Sequence, residues 1–171
     1  MTKTAIINPL EVLERKVVYT IDSAPAIFTT GPESQIQQVG IDLRLAKAYR
    51  VHGPVEFYTS KKSVKPELTE LQLTENCYLF KAGHQYSIDF LEDVNVPEDM
   101  AGIVWHRSTF NRFSGNLMSG WFDPGFKSQG GCGAVFRPSL DTVVELGFRM
   151  AQVVFYSASS ASLYSGQYQN T

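Results

Sequence analysis

A mainly β chain, built as a barrel or a jelly-roll sandwich, is what this sequence predicts, and three observations carry the prediction. Short runs rich in Val, Ile, Phe and Tyr recur along its length. Turn chemistry separates them, as in HGP, AGH, VPED, DPG, GG and RPSLD. Hydrophobic residues make up 43% and charged residues 19%, the balance of a folded globular chain. At 171 residues the expectation is a single domain, 1–171, long enough to bury a core.

One short helix opens the order of elements. Asn8 can cap it, Pro9 suits its first position, and Glu11 falls in the first turn, where the helix dipole favours an anion. It should end near Arg15 or Lys16, where KVVYTI turns strand-like. The strands follow as VGIDLRLAKAYRV (39–51), ENCYLFKAG (75–83), QYSIDFLEDVNV (85–96), GIVWHRS (102–108), GCGAVFRP (131–138), DTVVELG (141–147) and RMAQVVFYS (149–157). Residues 59–70, TSKKSVKPELTE, read as an exposed loop. The tail 157–171 is poor in aliphatics and rich in Ser, Gly and Gln, and is expected to be mobile without a ligand. No internal repeat is present.

Composition excludes several classes. A net charge of −2 gives no basic excess, which speaks against a nucleic-acid binder that displaces counterions. Two distant cysteines and three scattered histidines form neither a zinc pattern nor a disulfide framework. No run approaches a membrane span, and the N-terminus lacks a signal-like apolar core. A soluble, cytoplasmic protein with no membrane partner is expected.

Four polar groupings stand out, and each has a structural reading beside a functional one. Arg107, Ser108 and Thr109 follow an apolar strand. An arginine fork with neighbouring hydroxyl and N–H donors suits phosphate oxygens, but a solvated strand end looks the same. Asp123 precedes Pro-Gly in FDPGF, either as a hairpin turn or as a fixed general base with Phe126 as an apolar wall. Asp42 alternates with Ile41 and Leu43, so it faces away from them, exposed or partnered. Gln152 lies inside the apolar FRMAQVVF, bonded to the fold or to a ligand.

In order, VGIDLRL, RSTFNR, GNLMSGWFDPGF, FRMAQVVF and YSGQYQNT resemble the motifs of the dUTPase and dCTP deaminase superfamily, over residues 39–45 and 107–171. The resemblance is closest to dUTPase-related proteins of archaea and viruses. It implies a distorted jelly-roll β-barrel of the dUTPase type with a short N-terminal helix. It also implies a homotrimer with sites at subunit interfaces and a Mg2+-bound nucleoside triphosphate as ligand.

Similarity to the deaminase branch would place a catalytic Glu on the strand after the DPG turn, because deamination needs a carboxyl to shuttle protons. Residues 124–140 contain no Asp or Glu. The hydrolase branch is matched instead, which implies hydrolysis of dUTP to dUMP and pyrophosphate. By resemblance, Asp123 activates the water and Arg107, Ser108 and Thr109 grip the phosphates. Gln152 faces the phosphate chain and Asp42 reaches magnesium through water. Asn116 reads the base edge within the segment that also holds Ser119 and Gly120. Phe126 packs against the deoxyribose and excludes a 2′-hydroxyl. Tyr164, Gln167 and Tyr168 belong to a tail that can fold over the ligand, with Gln167 where the deaminase branch carries a basic residue. The alternatives are a dCTP deaminase with a displaced acid and a non-catalytic, trimeric nucleotide-binding or regulatory member. Trp105, Trp121, Phe136 and Phe155 are expected in the core or an interface, and Cys132 as a small apolar filler. Arg112 and Arg149 are left between ion pairing and phosphate contact, and Lys127 is a candidate phosphate contact.

Overall fold

The computed structural model describes residues 6–21, 24–160, 162–166 and 168–170. The elements in chain order are α1 (Pro9–Glu14), β1 (Val18–Thr20), β2 (Ile41–His52), β3 (Glu67–Glu70), β4 (Cys77–Phe80), β5 (Gln85–Phe90) and β6 (Glu92–Val94). β7 (Met100–His106), α2 (Ser108–Ser114), β8 (Gly115–Phe122), β9 (Gly133–Pro138), β10 (Thr142–Glu145) and β11 (Arg149–Ser157) complete them. The main sheet runs β11-β7-β8-β9-β5-β2, and β11 pairs again with β2, closing a six-stranded antiparallel barrel. β3 hangs on the far half of β2 as an edge strand. Two small ladders, β1 with β6 and β4 with β10, lie outside the ring. The fold is thus the mainly β barrel that the sequence predicts.

Alternation builds the core. On β5, Tyr86, Ile88 and Phe90 are buried, while Gln85, Ser87 and Asp89 point outward. Leu43, Leu45, Phe136, Met150, Val153 and Phe155 join them inside. Asn8 caps α1 as expected, its Oδ1 accepting from the Leu10 N–H at 2.9 Å.

The structure differs from the sequence reading at three places. α2 was not anticipated, since Arg107 offers no side-chain cap and aromatic and β-branched residues weaken its propensity. Packing overrides propensity there: Phe110 is buried, its ring 5.1 Å from that of Phe136, and Ser114 Oγ donates to the Phe110 carbonyl at 2.8 Å. The last four residues of the expected loop 59–70 form the edge strand β3, exposed throughout. The third difference is that residues 41–45 of β2 are buried on both faces. The segment preceding β2 folds over the outer face of that strand, with Gln35 and Pro25 bonding Asp42, Glu92 and Arg44.

That cover traps a buried charge pair. Arg44 Nε lies 2.7 Å from Glu92 Oε1, with the two side chains 4% and 0% exposed. The Arg44 N–H and Gln35 Nε2 also donate to Glu92. Removing one partner leaves the other charge without compensation, so Glu92→Ala should lower the unfolding free energy by about 3–5 kcal/mol in chemical denaturation. A change below about 1 kcal/mol would mean that the pair holds nothing together.

Candidate active site in two halves

The first half is cationic and sits where β2, β7 and β11 meet. Gln152 on β11 pairs in register with Asp42 on β2, and Arg107 follows the end of β7. The Asp42 side chain is fully buried. Arg107 Nε lies 2.9 Å from its Oδ2 and Arg149 Nη1 lies 3.7 Å away, while Gln152 Nε2 donates to Oδ1 at 3.3 Å. Oδ2 has no aligned hydrogen-bond donor, so charge holds it. Burial pushes the Asp42 carboxyl up from its ordinary range, and Arg107, Gln152 and Arg149 pull it back. Arg107 Nη1 donates to the Arg149 carbonyl, and Arg149 itself donates to the Ser34 carbonyl. Two guanidiniums thus share one buried carboxylate. Arg107 remains 29% exposed, beside the exposed Ser108 and Thr109 in the first turn of α2. The N–H groups of that turn have no intrahelical acceptor.

The second half is built on a tight turn. The Phe126 N–H donates to the Asp123 carbonyl at 2.9 Å, and Gly125 takes φ 85°, a positive angle that suits glycine. Val96 locks the turn from the side: its carbonyl accepts from the Gly125 N–H and its N–H donates to the Phe126 carbonyl. Phe122 and Phe126 stack across it, centroids 5.3 Å apart and planes 16° from parallel. The Asp123 side chain is exposed, with no ion pair or hydrogen bond to the other described residues.

A groove of ≈ 880 Å³ opens beside this turn. Its origin is a ladder that stops. β8 and β9 pair from Gly115 opposite Pro138 to Met118 opposite Val135, and beyond that the two chains diverge. Asn116 lines the laddered end, Ser119 and Gly120 line the middle, and Phe122 and Phe126 line the end next to the turn. The segment 128–131 is held open by Asp93, which accepts from Ser128 Oγ and from the N–H groups of Gly130 and Gly131 at 2.6–3.0 Å. Cys132 is buried, as a filler would be.

The tail covers the turn of its own chain. The Tyr164 ring meets Phe126 edge-on at 5.3 Å, and the Tyr164 N–H donates to the Pro124 carbonyl. Gln169 accepts from the Lys127 N–H and donates to the Gly125 carbonyl. Tyr164 and Tyr168 both line the groove. Gln167 lies outside the described residues. The anchoring roles of Gln169 and Asp93, and the presence of Asp89 in the groove, were not legible in the sequence, because a polar residue on a strand or in a tail carries no local signal of what it will face.

One chain does not bring the halves together. Phe122 pairs with Gly102, so Asp123 stands near the start of β7, whereas Arg107 follows its end. At about 3.3 Å per residue the two are on the order of 20 Å apart. Among the described residues, no three of His, Cys, Asp or Glu gather to hold a metal ion. Loosening the tail should be measurable: Phe126→Ala removes the ring that Tyr164 packs against, so residues 158–170 should be cleaved faster in limited proteolysis while the barrel stays resistant. Unchanged cleavage would show that the tail is held by its backbone bonds alone.

Comparison with known proteins matches this architecture. The dCTP deaminase-like family matches residues 14–158. A deoxyuridine 5′-triphosphate nucleotidohydrolase of Methanocaldococcus jannaschii is 30% identical over 147 residues, covering 83% of this chain and 92% of that protein. A probable enzyme of the same name from Methanopyrus kandleri is 28% identical over 142 residues, again covering 83% and 92%. The crystal structure of 2′-deoxycytidine 5′-triphosphate deaminase from Agrobacterium tumefaciens has a TM-score of 0.63 at 20% identity, over 91% of this chain and 48% of that one, a likeness of fold. The matched span holds the whole barrel, the Asp42 cluster and the Asp123 turn, and the chain belongs to the dCTP deaminase-like family.

Proposed function

We propose that this protein is a dUTP diphosphatase, converting dUTP and water to dUMP and pyrophosphate. The observation that carries this reading is a carboxylate, Asp123, without a partner among the described residues, fixed on a rigid turn beside the aromatic end of a nucleotide-sized groove. The relatives named deoxyuridine triphosphate nucleotidohydrolases support it, since they align over four-fifths of the chain. So does the lack of any carboxylate on β9, where a deaminase of this family would carry its proton shuttle.

In this reading the base enters the groove past Asn116, Ser119 and Gly120. The sugar lies on Phe126, whose flat ring leaves no room for a 2′-hydroxyl. Asp123 takes a proton from a water aligned with the α-phosphorus. Arg107 meets the charge that develops on the phosphate oxygens, with Ser108, Thr109 and Gln152 as further donors. Tyr164, Gln167 and Tyr168 close the site. Magnesium travels with the triphosphate as part of the substrate and offsets its charge. The chain's own contribution is to hold Arg107 through Asp42. A water-bridged link from Asp42 to magnesium requires this cluster to open when substrate arrives.

In this reading each active site joins the Asp123 turn of one copy to the Arg107 cluster of another, most simply in a closed trimer, and the separation of the halves within one chain supports it. The outer face of β7, β8 and α2 suits such contacts. It exposes Trp105, Trp121, Met118 and Phe113, the last 72% accessible. The deoxynucleotide substrate fits a cytoplasmic setting.

Incubation with magnesium and each deoxynucleoside triphosphate, assaying pyrophosphate and ammonia together, tests the reading. Pyrophosphate from dUTP, without ammonia from dCTP, is expected. Asp123→Asn should lower kcat by roughly 10²–10⁴ and leave nucleotide binding intact, because it removes the base and relieves repulsion between anions. Intact dUTP after long incubation would indicate a binding protein, and ammonia a deaminase.

A further inference from the structure

One carboxyl in the groove has no part in the chemistry above. Asp89 lies on β5, points outward and lines the groove. Its neighbour on β9 is Gly133, and the chain around it is cleared by glycines. A Cβ at Gly133 would stand 3.5 Å from Asp89 Oδ1, and one at Gly131 would meet the Phe90 carbonyl at 2.3 Å. Side chains there would wall Asp89 off from the gap between the diverging strands. No ion pair at contact distance neutralises it among the described residues.

We propose that Asp89 is a specificity-determining residue of the base pocket, its carboxylate accepting the N3–H of a uracil ring inserted between the diverging strands. The inference rests on the dUTP reading and deepens it. An ionised carboxyl only accepts hydrogen bonds. Uracil offers a donor at N3, whereas cytosine has a lone pair there, so the same oxygen that attracts one repels the other. A site that pairs with a base proton rejects the analogue lacking it more strongly than an apolar pocket could.

The surroundings give the contact a pH signature. Burial raises the Asp89 carboxyl to about 6, opposed by Lys47 and Tyr49 on β2 and reinforced by Glu70 on β3. Gly133 adds no charge from β9, and the buried Cys132 thiol beside it is pushed up and stays neutral. Below about 6 the carboxyl is protonated and loses its preference for an N3 proton.

Binding of dUMP, dCMP and N3-methyl-dUMP, measured by calorimetry from pH 5 to 8, tests this without needing turnover. The wild-type protein should prefer dUMP to both others by about 10- to 100-fold at pH 8, a hydrogen bond to a charged group, and the preference should fall as pH drops through 6. Asp89→Ala should abolish the preference at every pH. Asp89→Asn should lose the preference for dUMP over dCMP, because its amide can also donate to the cytosine N3, and should keep that over N3-methyl-dUMP without the pH dependence. Far-UV circular dichroism checks that both variants fold. An Asp89→Ala protein that folds and retains the full preference overturns the assignment while leaving dUTP hydrolysis untouched. Ammonia released from dCTP by the wild type and lost in Asp89→Asn would make Asp89 a proton shuttle instead. A wild type that neither binds dUMP nor cleaves dUTP overturns the underlying reading as well.

Discussion

The antiparallel ladder between β7 and β8 constrains everything else. It pairs Ile103 with Trp121 and Gly102 with Phe122, and so sends the Asp123 turn to one end of the ribbon while Arg107 occupies the other. A hydrogen-bonded ribbon does not fold back on itself over such a span. The base that could activate water and the cation that could receive phosphate charge are therefore fixed apart within a chain, and the proposed hydrolysis calls on a second copy for the missing half. The function proposed for this protein is a consequence of that separation as much as of the residues themselves.

Each half is rigid for a different physical reason. The cationic half depends on burial: Asp42 is out of water, ionised carboxylates are costly there, and Arg107, Arg149 and Gln152 are what make it tolerable. Arg107 is held as firmly as Asp42 needs it. The other half depends on backbone geometry. A positive-φ glycine, a strand-like exchange with Val96 and a stacked pair of phenylalanines hold the Asp123 main chain in place, with its side chain free. A carboxylate on a fixed backbone, without a partner among the described residues, is what the proposed role of water activation asks for.

Much of this was legible beforehand, and the illegible part has a pattern. Runs rich in Val, Ile, Phe and Tyr between turns marked β5 and β11, Asn8-Pro9 marked α1, and Asp-Pro-Gly marked the turn, because each signal is local. α2 was missed because it is held by Phe110 against Phe136, a tertiary contact. The burial of Asp42 was equally hidden, since the alternation of β2 predicts its direction but not the cover laid over it by Gln35 and its neighbours. Asp123, Arg107, Asn116 and Phe126 could be singled out from ordered motifs. That they fall into two groups at opposite ends of one hairpin required strand register. Asp89 had no motif at all; only Gly133 on β9 and Gly131 before it, seen in three dimensions, mark it out.

The shared site can be tested by mixing two inactive proteins. Asp123→Asn and Arg107→Ala each remove a different half, so each should be inactive alone. Co-refolded at equal ratio, random trimers should pair an intact Asp123 turn with an intact Arg107 cluster in about a quarter of their sites, and recover about a quarter of wild-type dUTP hydrolysis. No activity above that of the separate variants, in a mixture shown to exchange subunits, would contradict a site built from two chains.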